Sequence, residues 1–321
     1  MITGNDISLI QQTKSTLQEN FKMKDLGNLR YFLGIEFARS QDGIVMHQRK
    51  YTLEIISEAG LSAAKPAATP LDPYVHLTTR EYDELNGTGK DDKLLTDPVT
   101  RPDISFATQT LSQLLHQPKQ SHLNAALKVV RYIKNQVGLG VLLSSANSKE
   151  LQVYCDSDWG SCLHTRRSVT GFMVKLGGSL ISRKSKKQAT ISRSSTEAEY
   201  RSMTNAVAEV VWLVKLFKEI GVKISTPVTI YSDSKSAIQI AANPVLHERT
   251  KHIELDCHFI REKIQNGLVQ TKYLNTKEQE ADMLTKGLGK SQHEYLLSKF
   301  GVLNLFIPTN LRGSSIKEGI T

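Results

Sequence analysis

Sulfur is scarce in this chain, and long apolar runs are missing. The 321 residues hold three cysteines, Cys155, Cys162 and Cys257, with no CxxC pair and no zinc-ligand spacing to histidine. That excludes a zinc finger or ribbon and a disulfide scaffold, and fits a reduced, intracellular protein. No stretch reaches the ~18–20 apolar residues needed to span a bilayer. The best candidate, Ala206 to Val214, carries Glu209 and reads as part of an amphipathic helix. No signal-peptide pattern opens the sequence, so no membrane association is expected. Internal repeats are absent as well.

What is present is an ordinary globular composition, 39% hydrophobic and 23% charged, with an uneven basic excess. Residues 1–150 hold 17 Lys/Arg against 16 Asp/Glu, whereas residues 151–321 hold 24 against 16. A basic second half favours phosphate backbones. A merely solvated surface accounts for the charge equally well.

Local patterns change near residue 150. Before it, the spacing predicts a helix over 6–21, and Ser40-Gln41-Asp42-Gly43 predicts a hairpin between strands at 30–38 and 44–47. A helix over 50–59 should end at Gly60, an irregular connection should follow over 66–102, and two helical pieces over 103–135 should break near Pro118. From Leu151 the pattern becomes dense α/β. Strands are predicted at 151–156, 169–176, 179–192, 228–233 and 268–274. Helices are predicted at 194–220, 234–242, about 250–266 and from about 277. The polar, Gly/Ser-rich stretch after Pro308 predicts disorder.

Four acids stand in separate local frames: Asp156 and Asp233 at the ends of predicted strands, Glu197 at the start of the long helix, and Asp282 in Glu280-Ala281-Asp282-Met283-Leu284-Thr285-Lys286. Each also has an innocent reading. Glu197 follows Ser194 by three residues, as in a capping box, and Glu199 follows Thr196 in the same way. Asp156 and Asp233 suit strand-end turns, and Asp282 suits the first turn of a helix. Together they suit a cation site, because converging carboxylates must share protons or bind cations, and hard Mg²⁺ prefers oxygen.

Several stretches carry a resemblance. They are Tyr154-Cys155-Asp156-Ser157-Asp158-Trp159, Thr165 to Phe172, Ser185-Lys186-Lys187-Gln188 and Ser194 to Tyr200, followed by Ser232 to Ala237, His247 to Ile253 and Ala281 to Lys286. From Leu151 to about Leu305 the chain resembles the ribonuclease H domain of copia-type (Pseudoviridae) retrotransposon Pol polyproteins, the plant ones in particular. The resemblance implies a mixed five-stranded sheet with helices on both faces. It also implies hydrolysis of the RNA strand of RNA–DNA hybrids by two Mg²⁺ ions, with Mn²⁺ as substitute, held by Asp156, Glu197, Asp233 and Asp282. Glu199 is then only a helix-start acid. Arg166, Arg167, Lys184, Lys186 and Lys187 become candidate phosphate contacts, a solvated hairpin face being the alternative. The loop Asn275 to Glu280 lacks the histidine some ribonucleases H place there. His252 reads as a structural or phosphate-contacting residue at a helix N-terminus.

Residues 1–150 resemble the segment that follows the polymerase active site in copia-type reverse transcriptases, through Phe21 to Gly27, Tyr31 to Glu36 and Thr100 to Ile104. The implied organisation is a palm remnant with a primer-positioning hairpin over 1–75 and a thumb or connection remnant over 76–150. The ribonuclease H domain follows over 151–305 and a disordered tail over 306–321. The family's Tyr-x-Asp-Asp turn would lie before Met1, so no polymerase activity is expected. A helix usual in the family is missing near 98–99, which predicts loose packing of 1–150. Arg183 replaces the usual tryptophan and His164 the usual aspartate. The resemblance places the protein in a cytoplasmic virus-like particle or the nucleus. A non-catalytic nucleic-acid-binding remnant of a degenerate retroelement is the alternative to the active enzyme, and an integrase or transposase of related fold is a third reading. The order of strands and helix around Glu197 disfavours that third reading.

Overall fold

The computed structural model describes residues 7–22, 27, 29–73, 77–78, 101–116, 118–146, 148–243 and 253–306. His252, the deletion near 98–99, most of the irregular connection and all but residue 306 of the expected tail lie outside the described residues.

Alternation over residues 151–187 builds the core of the second half. Strand β5 (Leu151–Asp158) pairs antiparallel with β6 (Val169–Leu176), which pairs antiparallel with β7 (Ser179–Lys187). The two-residue turn at Gly177-Gly178 needs the left-handed backbone that glycine supplies, with φ +59° at Gly177. On the other side of β5, β8 (Val228–Ser232) and then β9 (Val269–Tyr273) run parallel, giving the order β7-β6-β5-β8-β9. This is the mixed five-stranded sheet that the sequence predicts.

The two faces of this sheet are covered differently. Leu151, Val153 and Cys155 of β5, with Phe172 and Val174 of β6, meet Met203, Ala206, Val207 and Val210 of the helix Ser195–Glu219. The helices Lys235–Ala242 and Glu254–Gln265 complete that side through Ala237, Ala241, Cys257 and Ile260. The opposite face, carrying Met173 and Leu180, packs against Met283, Leu284, Leu296, Leu297 and Phe300. Those residues come from a tight 3-10 turn, Glu280–Leu284, and from the helix Lys290–Lys299 with its C-cap Phe300. The helix expected from about residue 277 is thus two short 3-10 turns followed by a helix that begins only at Lys290.

A second sheet runs β1 (Tyr31–Phe32), β2 (Ile35–Ser40), β3 (Gly43–His47), β4 (Leu139–Ser144) and β10 (Val302–Asn304), all antiparallel. The hairpin turns at Gln41-Asp42 as expected, with Ser40 opposite Gly43. Nothing local announces this sheet as a whole, since β10 joins β4 across some 160 positions of sequence. Leu139 packs directly into the second face of the first sheet, and the Ser144 N–H donates to Ser179 Oγ at 2.8 Å.

Residues 101–135 are firmly packed, contrary to the expectation of looseness. The helices Ser105–Ser112 and Gln120–Asn135 enclose Leu71, Ile104, Ala107, Val129, Tyr132 and Ile133. Arg101 and Asp103 form a buried ion pair beside them, and the Tyr132 ring meets His293 edge-on at 5.2 Å. Among the described residues, no helix is long and apolar enough to cross a membrane.

Candidate metal centre

Parallel pairing brings two of the acids together. Tyr154 lies opposite Tyr231, and their rings stack with centroids 5.1 Å apart. Two residues further along each strand, on the same face, stand Asp156 and Asp233. Asp156 does not end its strand, which continues to Asp158, so it is held by pairing to β6 although the pairing to β8 stops at Tyr154. Its partner in β6 is Gly171. A Cβ there would sit 2.5 Å from Thr285 Cγ2 and 2.9 Å from Leu284 Cβ. Glycine therefore lets the 280–286 segment press onto the sheet, where Thr285 Oγ1 donates to Asp156 Oδ2.

The third acid is Glu199, not Glu197. Oxygens of Asp156, Glu199 and Asp233 all lie within 4.8 Å of one another. Glu197 points elsewhere: it accepts from the Arg193 N–H at 2.9 Å and pairs with Arg201 at 2.8 Å, while its own N–H donates to the N-cap Ser194. Two residues along a helix is a turn of about 200°, so the two glutamates face opposite ways. The signal was available in the sequence. Glu199 is in phase with the buried Met203, Ala206 and Val210, whereas Glu197 is in phase with Arg201 and Thr204.

Asp282, on the 3-10 turn rather than in an α-helix, does not join this trio directly. Lys286 links it instead, its Nζ 3.0 Å from Asp282 Oδ1 and 3.6 Å from Asp156 Oδ2. Further donors orient the oxygens: the Ser157 N–H to Glu199 Oε1 at 3.2 Å and Thr276 Oγ1 to Asp233 Oδ2 at 2.8 Å. Lys286, Thr285, Thr276 and Ser157 were not singled out as site residues from the sequence.

Crowded carboxylates hold their protons. Burial, then Asp156 and Asp233, push Glu199 up to about 9. Burial and Asp156 push Asp282 up to about 8. Burial also raises Asp156, against the pull of Lys286 and Thr285. Lys286 itself is raised, because Asp156 and Asp282 outweigh the burial that disfavours its charge. The residues fit a hard divalent cation. All donors are oxygens, and the buried Glu199 Oε2 has no hydrogen-bond partner among the described residues.

The expected phosphate contacts do not form one face. Lys184 donates to Asn205 at 3.2 Å, on the side of the long helix. Lys187 faces the other way, 3.6 Å from Cys162 Sγ. Arg166, in a left-handed backbone at φ +52°, and Lys186 are exposed, and Arg167 is partly buried.

The reverse transcriptase (RNA-dependent DNA polymerase) family matches residues 1–73. The Retrovirus-related Pol polyprotein from transposon RE1 of Arabidopsis thaliana is 39% identical over 94% of this chain, and that from transposon RE2 is 40% identical over 95%. The chain belongs to the copia-type retrotransposon Pol polyprotein family. It spans about a fifth of the length of those two relatives, 21% in each case. A crystal structure of LC11-RNase H1 in complex with RNA/DNA hybrid aligns with 42% of this copia-type chain and 94% of its own, at 12% identity and a TM-score of 0.34. The mixed five-stranded sheet of residues 151–273 is the part of the copia-type Pol chain that carries the acidic cluster.

Proposed function

We propose that residues 151–305 hydrolyse the RNA strand of RNA–DNA hybrids with divalent cations, Mg²⁺ by preference and Mn²⁺ in substitution. The observation that carries this reading is the convergence of Asp156, Glu199 and Asp233, with Glu199 Oε2 buried and without a hydrogen-bond partner among the described residues. Asp156, Glu199 and Asp233 would hold one ion, and Asp156 with Asp282 a second. Bound ions supply an acidified attacking water and a positive clamp for the leaving 3′ oxygen. The protein's own part is positioning. Thr285 and the strand pairing fix Asp156, the Ser157 N–H fixes Glu199, and Thr276 fixes Asp233. Exposed Arg166 and Lys186 can meet phosphates, and selectivity for the RNA strand would come from helix shape and 2′-hydroxyls rather than sequence.

The test is cleavage of a labelled hybrid by the full chain in Mg²⁺. Wild type should cut the RNA strand, and Asp156→Asn should not. Hybrid binding without cleavage by the wild type would transfer the conclusion to a non-catalytic binding remnant. Undiminished cleavage by Asp156→Asn would assign the activity to some other source.

A further inference from the structure

We propose that Lys286 is a resident counter-ion that keeps the Asp156–Asp282 side of the centre closed to a second divalent cation until the ammonium is displaced. This role rests on the cation-binding reading above, and refines how the site would load.

The centre has two unequal halves. On one side, Asp156, Glu199 and Asp233 bring three carboxylate oxygens within 4.8 Å of one another, and among the described residues no side-chain cation forms an ion pair with Glu199 or Asp233. On the other, the Lys286 ammonium already lies 3.0 Å from Asp282 Oδ1 and 3.6 Å from Asp156 Oδ2. A divalent ion bridging Asp156 and Asp282 would stand within a few ångströms of that ammonium, and two cations so close in a partly buried setting repel strongly. The first half meets the ammonium closely only at the shared Asp156, whereas both carboxylates of the second already face it.

Lys286 also has somewhere to go. Its side chain is one-third exposed and forms part of the wall of a cavity of about 370 Å³ shared with Asp158, Cys162, Gln113 and His116. Swinging into that cavity would return the ammonium to solvent, beside the Asp158 carboxylate. A substrate phosphate arriving there offers it a second anionic partner, so substrate entry and second-ion loading would be coupled. The anchoring is local: Lys286 follows Asp282 by one helical turn, and its N–H donates to the Asp282 carbonyl at 3.2 Å. The backbone need not move for the side chain to leave.

Mn²⁺ titration of the full chain without nucleic acid, read by the electron paramagnetic signal of free Mn²⁺, separates the possibilities. Wild type should take up one ion, with a second at least about tenfold weaker, the order of effect that one neighbouring unit charge exerts. Lys286→Met should take up two, the second tightened about tenfold, and Lys286→Arg should stay near wild type. Should Lys286→Met fail to fold, Lys286→Gln followed by thermal unfolding should show a larger Mn²⁺-induced rise in Tm than wild type. Identical titrations for wild type and Lys286→Met, or Lys286→Arg behaving as Lys286→Met, would overturn the role of the lysine alone. No Mn²⁺ uptake by the wild type, or uptake unaltered by Glu199→Gln, would overturn the cation-binding reading and this role with it.

Discussion

Glu197 and Glu199 carry identical side chains two positions apart, and the helix phase decides between them. Glu199→Gln keeps the shape and the Ser157 contact but removes a charge from the trio, so hybrid cleavage should fall by about a hundredfold or more. Glu197→Gln removes an ion pair with Arg201 at the helix start and should cost under about 1 kcal/mol with near-normal cleavage. Equal activity loss in the two variants would overturn this division. The raised carboxyls also set a pH dependence. In metal-free protein Glu199 keeps its proton up to about pH 9, while the unfolded chain loses it near 4.5. The native state then binds more protons across that window, so the Glu199 contribution to stability falls as pH rises. Thermal midpoints in EDTA should drop between pH 7 and 9, and drop less in Glu199→Gln. Excess Mg²⁺ should oppose the drop, because cation binding displaces those protons. A midpoint that rises with pH in EDTA would contradict the assignment.

At the scale of elements, what the sequence made legible was whatever has a local period. The Asp-Gly hairpin turn, the long amphipathic helix and the break near Pro118 are local signals found where they were read, and the alternation of β5 is found too, two residues longer than the 151–156 expected. Asp156 and Asp233 were also legible, since each sits in or beside a strand with clear alternation. The 280–284 turn was not, because a short 3-10 turn and a helix start share the same acidic and apolar spacing. Its placement depends on Gly171, a residue more than 100 positions away whose missing side chain makes room for Thr285 and Leu284. Gly171→Ala should therefore act on the site through packing. Displacing the turn is expected to cost about 1–3 kcal/mol, as overpacking does, and to lower cleavage by loosening the Thr285 contact to Asp156. Unfolding curves and cleavage rates of that one variant check both. Unchanged stability would mean that the turn yields without penalty.

For the molecule as a whole, the sequence change near residue 150 does not mark a physical gap. β10 returns to the second sheet, Leu139 enters the core beneath the first, and Tyr132 touches His293. None of this was visible locally, because strand pairing and side-chain packing here join segments far apart in the sequence. The Arg101–Asp103 pair lies at the centre of this junction. Arg101 Nε donates to Asp103 Oδ1 at 3.0 Å, and the Arg101 guanidinium also donates to the Gln136 carbonyl at 2.9 Å. Burial alone would raise the Asp103 carboxyl, but Arg101 holds it below the usual carboxylate range. Asp103→Ala leaves a guanidinium buried beside Tyr132 with half its partners gone, and breaking such a pair from one side typically costs about 3–5 kcal/mol. The double variant Arg101→Met with Asp103→Leu removes both charges and should recover much of that loss. Calorimetry of the full chain measures the stability, and amide exchange on the helices Gln120–Asn135 and Lys290–Lys299 locates it. Faster exchange in both helices of Asp103→Ala is expected, since each packs against the same junction. Faster exchange confined to Gln120–Asn135 would mean that the two halves of the chain are coupled only through the sheets.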